Sequence, residues 1–161
     1  MTIPHPLLRL VFGLLAVAVP AMTARAADTL KSGDVVPAIQ AKDQHDQPFT
    51  LGDDVQWLLI TFDMGTGKAM NGYLQKKGAS FLPDHKAVFV SNIHGMPGVG
   101  RMFALPKMRK YPHRIVLADE EHLLDPFPRQ DDCVTVLKLG AGRTVEGISF
   151  WNPRSGELPL D

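Results

Sequence analysis

Six consecutive residues, Trp57-Leu58-Leu59-Ile60-Thr61-Phe62, limit most what this chain can become. An apolar run of strand length without polar alternation is a strand covered on both faces, so the fold must place layers on either side of a sheet. A second such run spans residues 86–93, with Ala87, Val88, Phe89, Val90 and Ile93. Between the two, Ala69, Met70, Tyr73, Leu74 and the stem of Lys77 share one helical face. Thr66 is placed to cap that helix and Gly78 to stop it. Gly72 inside it costs about 1 kcal/mol relative to Ala. The three pieces predict a strand–helix–strand unit with parallel strands and a right-handed crossover.

The flanking segments extend this unit. Residues 38–42 and 48–51 enclose the polar turn Asp43-Gln44-His45-Asp46-Gln47 and predict an N-terminal hairpin. Residues 98–111 predict helix with Val99, Met102, Phe103 and Met108 facing inward, split in two by Pro106. Residues 114–118 predict a strand. Residues 133–139 and 144–151 predict two more, joined by the hairpin turn Gly140-Ala141-Gly142-Arg143. The tail from Asn152 carries two prolines and no helical pattern.

Residues 1–26 read as a signal peptide rather than as structure. Arg9 precedes an apolar run from Leu10 to Val19, Pro20 breaks it, and Ala24-Arg25-Ala26 is a small-x-small cleavage site. The run is short of the roughly 20 residues that a membrane span requires. The expected mature chain is therefore one domain, residues 27–161, periplasmic or secreted, with no membrane span after cleavage. Loss of Arg9 and Arg25 leaves 15 Lys and Arg against 17 Asp and Glu, a net charge of −2. No polybasic stretch remains, which argues against nucleic acid as a partner. Cys133 is the sole cysteine, so no internal disulfide and no cysteine-based zinc site can form.

Three stretches carry a family resemblance. Gly33-Asp34-x-x-Pro37 with Asp43-Gln44-x-Asp46-Gln47-Pro48-Phe49-x-Leu51, the run 57–62, and Cys133-Val134-Thr135-Val136-Leu137 together resemble the thioredoxin-like superfamily. The nearest branch is the redoxins, which include peroxiredoxins and secreted thiol-disulfide reductases. The resemblance implies an α/β fold: a three-layer sandwich, a mixed central sheet and an N-terminal β-hairpin. It also implies a reactive cysteine at the start of the helix after residues 57–62, where free backbone N–H groups and the helix dipole favour a thiolate. This chain has Thr66-Gly67-Lys68-Ala69-Met70 in that window, with Gly67 and Met70 near the two positions of a Cys-x-x-Cys pair. Dithiol exchange and cysteine-based peroxide reduction at that site are excluded. The family's cis-proline is also missing, and the alignment puts Cys133 at or beside it, across from the vacated residues Thr66, Gly67, Lys68 and Met70. Cys133 is then either an accessible thiol facing the vacated site or a small buried hydrophobe at a strand start, the commoner state of free cysteine.

Other patterns are weaker. Met64, Met70, Met96, Met102 and Met108 with His94 and His113 supply soft ligands suited to copper(I), but Met70 and Met102 fit helical core faces better. Gly98-x-Gly100-x-x-Phe103 with Asp119 downstream is half of a dinucleotide fingerprint lacking its third glycine. Gly65-Thr66-Gly67-Lys68 lacks the first glycine and the final hydroxyl residue of a phosphate loop, although a helix N-terminus beside Lys68 suits a small anion. The expectation is a non-catalytic binding or accessory protein with an unknown protein or small-ligand partner and no cofactor or metal. The alternatives are a single-thiol role for Cys133, a flavin- or nicotinamide-type oxidoreductase, or a copper-binding protein.

Overall fold

The computed structural model describes residues 28–160. The signal-peptide reading of residues 1–26 lies outside them. The sheet has seven strands: β1 (Gln40–Asp43), β2 (Pro48–Thr50), β3 (Trp57–Thr61), β4 (Ala87–Asn92), β5 (Val116–Ala118), β6 (Val134–Leu139) and β7 (Val145–Trp151). Their order across the sheet is β2-β1-β5-β4-β3-β6-β7. The predicted unit is present: β3 and β4 pair in parallel, with Leu59 beside Phe89. β5 continues the parallel set on β4, while β1, β6 and β7 join antiparallel. The sheet is mixed and begins with the N-terminal hairpin, as the resemblance implied.

β3 is central and is covered on both faces, as its composition requires. On one side Leu59, Phe89, Val134 and Val136 pack with Met70 and Leu74 of α1 (Met64–Lys77), Leu82 of α2 (Phe81–Asp84) and Met108 of α3 (Gly98–Met108). On the other, Leu58, Ile60, Val90, Val116 and Leu137 pack with Leu30, Val36 and Ile39 and with Leu124 and Phe127. The first outer layer is helical. The other is irregular chain. α2, only four residues long and containing Pro83, gave no periodic signal.

Two expectations about the helices are corrected. α1 begins at Met64, and its N-cap is Asp63, whose carboxylate accepts the Thr66 N–H at 2.8 Å. Thr66 is therefore inside the first turn rather than at the cap. The predicted stop holds, since Gly78 has φ +92° and donates its N–H to the Leu74 carbonyl. α3 is one helix, with Pro106 in its last turn. A proline there removes the N–H that would bond the Met102 carbonyl, and that residue faces water.

The inward face of α3 also differs. Val99, Met102 and Phe103 are 68, 67 and 73% exposed, and of the predicted stripe only Met108 is buried. The helix is rotated so that Arg101 points down. Its guanidinium donates to the carbonyls of Met96 and Ile93 and forms a two-pronged pair with Asp119 after β5. This charged anchor sets the rotation of α3 in place of the apolar stripe. Its partner Asp119 is held below the usual carboxylate range chiefly by the Arg101 hydrogen bonds. Met102→Gln is accordingly expected to change stability by less than about 0.5 kcal/mol, against a loss of about 2–5 kcal/mol for Leu74→Ala. Urea unfolding of the two variants checks this, and a loss above about 1 kcal/mol for Met102→Gln would restore the predicted stripe.

Candidate functional site

The start of α1 is where the resemblance locates chemistry. Asp63 closes that end of the helix with its own negative charge. Burial works against ionisation of its carboxyl, but the Thr66 and Gly65 groups that donate to it, with Arg154 nearby, outweigh burial and hold its pKa below the ordinary value. The N–H groups and dipole that would stabilise a thiolate therefore already serve a carboxylate. Arg154 also donates to the Gly65 carbonyl at 3.3 Å, tying the C-terminal segment to the first turn.

The four vacated residues separate in space. Thr66 and Gly67 are buried, Lys68 is exposed, and Met70 is fully enclosed in the helical-side core. Met70 is thus a packing residue and not part of a surface site. A Cβ on Gly67 would come within 3.4 Å of the Thr61 hydroxyl and 3.5 Å of the Ser91 hydroxyl, so α1 lies directly on the ends of β3 and β4 here.

Beneath this turn is a buried polar chain. Asn71 Nδ2 donates to the Gly67 carbonyl at 2.9 Å. Since a carbonyl only accepts, the Asn71 amide is oriented, and its Oδ1 must accept from His113 Nε2 at 2.9 Å. His113 therefore carries its proton on Nε2. Its Nδ1 is buried with no partner. The ring is 2% exposed, and burial pushes its pKa down to about 4, so it is neutral near pH 7. The chain continues as Gln44 donates through Nε2 to the His113 carbonyl and accepts through Oε1 from the Ile115 N–H, both at 2.8 Å.

Beside this chain a cavity of about 360 Å³ opens between α1 and α3. Gly67, Lys68 and Asn71 form one wall, Ser91 lies at its base, and Met96, Phe103, Ala104, Lys107, Met108 and Tyr111 form the other. Sequence reasoning identified Gly67 and Lys68, weighed His113 only as a copper(I) ligand, and missed Asn71 and Ser91. The available signal was polar residues in otherwise apolar strand and helix faces.

Cys133 is not among the lining residues. It directly precedes β6, where Val134 and Val136 face α1. The alternation of a strand puts Cys133 with Thr135, whose hydroxyl bonds the Pro128 carbonyl on the far face. Of the two readings of Cys133, its burial and its absence from the cavity lining fit the small buried hydrophobe. The thiol is buried and accepts a weak hydrogen bond from Gln130 Nε2 at 3.5 Å. Among the described residues no group of three or more His, Cys, Asp or Glu is arranged to hold a metal. Asp119, the acidic residue of the partial dinucleotide pattern, is occupied by Arg101.

No family model matches the sequence, and no curated protein matches it. Solved structures do match. A peroxiredoxin-like protein from Aquifex aeolicus superposes with a TM-score of 0.53 at 11% identity, over 79% of this chain and 80% of that one. A thio-disulfide isomerase from Thermus thermophilus gives 0.50 at 18%, over 79% and 89%. The thioredoxin domain of a thiol-disulfide oxidoreductase from Bacteroides vulgatus gives 0.51 at 16%, over 74% and 89%. The chain has a thioredoxin-like fold. At these identities the likeness carries the fold alone, and function has to be argued from the side chains. This thioredoxin-like chain has one cysteine, and the helix start holds none.

The buried imidazole makes stability depend on pH. The unfolded chain protonates His113 near pH 6.5, whereas the folded chain does so only near 4. Between those values the unfolded state binds more protons, so stability falls as pH falls. Between pH 6.5 and 5 the expected loss is about 2 kcal/mol. Urea titrations of wild type and His113→Gln across this window test the assignment, because the variant should lose this slope. An unchanged slope would remove His113 as its source.

Proposed function

We propose that the protein is an exported thioredoxin-like domain without a redox dithiol, acting in the periplasm or outside the cell as a non-catalytic binding or accessory protein. The site of binding is the α1–α3 cavity beside the vacated position. The observation that carries this reading is the start of α1: an internal carboxylate, Asp63, occupies the helix end that redox chemistry would need, while an open cavity lies next to it. Binding sites for small ligands are concave, mostly apolar and furnished with a few polar groups, which describes this lining. The charge balance of the mature chain supports a partner other than nucleic acid.

The purified signal-cleaved protein is expected to neither reduce insulin disulfides nor consume peroxide above background, and Cys133→Ser to leave its binding partner unchanged. A photo-crosslinking residue at Lys68 should capture that partner from periplasmic extract, and the same residue at Glu146, on β7, should not. Turnover in either assay that disappears in Cys133→Ser would favour the single-thiol alternative. Under the binding reading, iodoacetamide modifies Cys133 only after denaturation, because the thiolate that reacts must reach solvent.

A further inference from the structure

We infer that the α1–α3 cavity takes an amphipathic organic anion: an apolar body seated in the groove and a single carboxylate held between Lys68 and Lys107. This rests on the binding reading above and names its ligand class. Three observations converge on it. The cavity wall contributed by α3 and the segments flanking it is apolar and aromatic, with Met96, Phe103 and Tyr111 prominent, and such surface gains most from an apolar ligand body. The lining includes two lysines and no acidic residue. Neither lysine has a hydrogen-bond or ion-pair partner among the described residues; Lys42, Lys76, Lys86 and Lys110 share that state, but only Lys68 and Lys107 line this apolar groove, where no acidic side chain neutralises them. Two unpaired ammonium groups flanking an apolar groove attract one anionic head and leave a neutral analogue with the body contacts alone.

The helix end does not compete for that head. Asp63 already fills it, and a second negative charge there would meet a carboxylate held in its ionised form. The charge selectivity therefore comes from the lysines and not from the dipole of α1. The polar floor is likewise committed, since both ends of the Asn71 amide are bonded internally and the Ser91 hydroxyl pairs with Thr61 at 3.5 Å. Specificity is then set by chain length against Phe103 and Tyr111 and by the charge at the rim.

The test uses octanoate and its uncharged counterpart octanamide, titrated into the isotope-labelled signal-cleaved protein and followed by amide chemical shifts. Octanoate should move the amides of Lys68, Phe103, Lys107 and Tyr111 and bind about tenfold or more tighter than octanamide, a margin near 1.4 kcal/mol. Lys68→Gln with Lys107→Gln should bring the two ligands to equal affinity without changing the melting temperature, because neither lysine has a structural partner. Ala104→Trp, which fills the groove, should abolish both. Equal affinities in wild type overturn the anion assignment but leave a binding cavity. No shift at these amides with either ligand overturns the anion assignment, and with it this cavity as the small-ligand site, whatever partner the crosslink at Lys68 captures.

Discussion

One line of buried hydrogen bonds joins parts of this chain that the apolar core alone would leave free to slide. It runs from the Gly67 carbonyl through Asn71, His113 and Gln44 to the Ile115 N–H, and each link fixes the orientation of the next. It connects the first turns of α1, the segment leading into β5 and the N-terminal hairpin. A buried polar group left without its partner costs about 1–3 kcal/mol, so the links are mutually dependent. Burial selects neutral His113, and only neutral His113, with its proton on Nε2, completes the chain at no charge cost. The cavity wall thus stands on a polar brace as well as on packed side chains.

Charged groups have a different task, which is to orient helices. Asp63 fixes where α1 starts, and Arg101 fixes which way α3 turns. In both cases a polar contact overrides a pattern that looks decisive in sequence. Arg101 satisfies two backbone carbonyls and a carboxylate at once, and the cost is that Val99, Met102 and Phe103 are left in water. That exposed stripe lies on the same helix that supplies Phe103 and Lys107 to the cavity. The rotation that weakens α3 as a core element is the one that makes it a cavity wall.

The sheet was legible because its information is local. Runs such as 57–62 and 86–93 have the length and composition of a doubly covered strand, and Gly78, Gly140 and Gly142 mark ends and turns. The site was legible only in part. Gly67 and Lys68 could be located by their distance from β3, whereas Asn71 and His113 become partners only after the chain closes across 42 residues. Likewise, the inward face of α3 depends on Asp119, eighteen residues after Arg101, which no periodicity within the helix contains. For Cys133, the residue before β6, the sequence leaves an accessible and a buried thiol open, and its burial fits the second.

The start of α1 differs from a thiol site by more than the absence of cysteine. Met70, which the resemblance sets near the second position of a Cys-x-x-Cys pair, is a fully buried core residue, and Gly67, near the first, lies against the Thr61 and Ser91 hydroxyls. A cysteine at position 70 would be enclosed in the apolar core, a setting that raises a thiol pKa, and one at 67 would lie against those two hydroxyls. Negative charge closes the helix end, and two lysines without an acidic partner, Lys68 and Lys107, stand on the cavity rim. A helix end closed by a carboxylate offers a thiolate little stabilisation. The cationic rim beside it suits the anion we propose for the cavity.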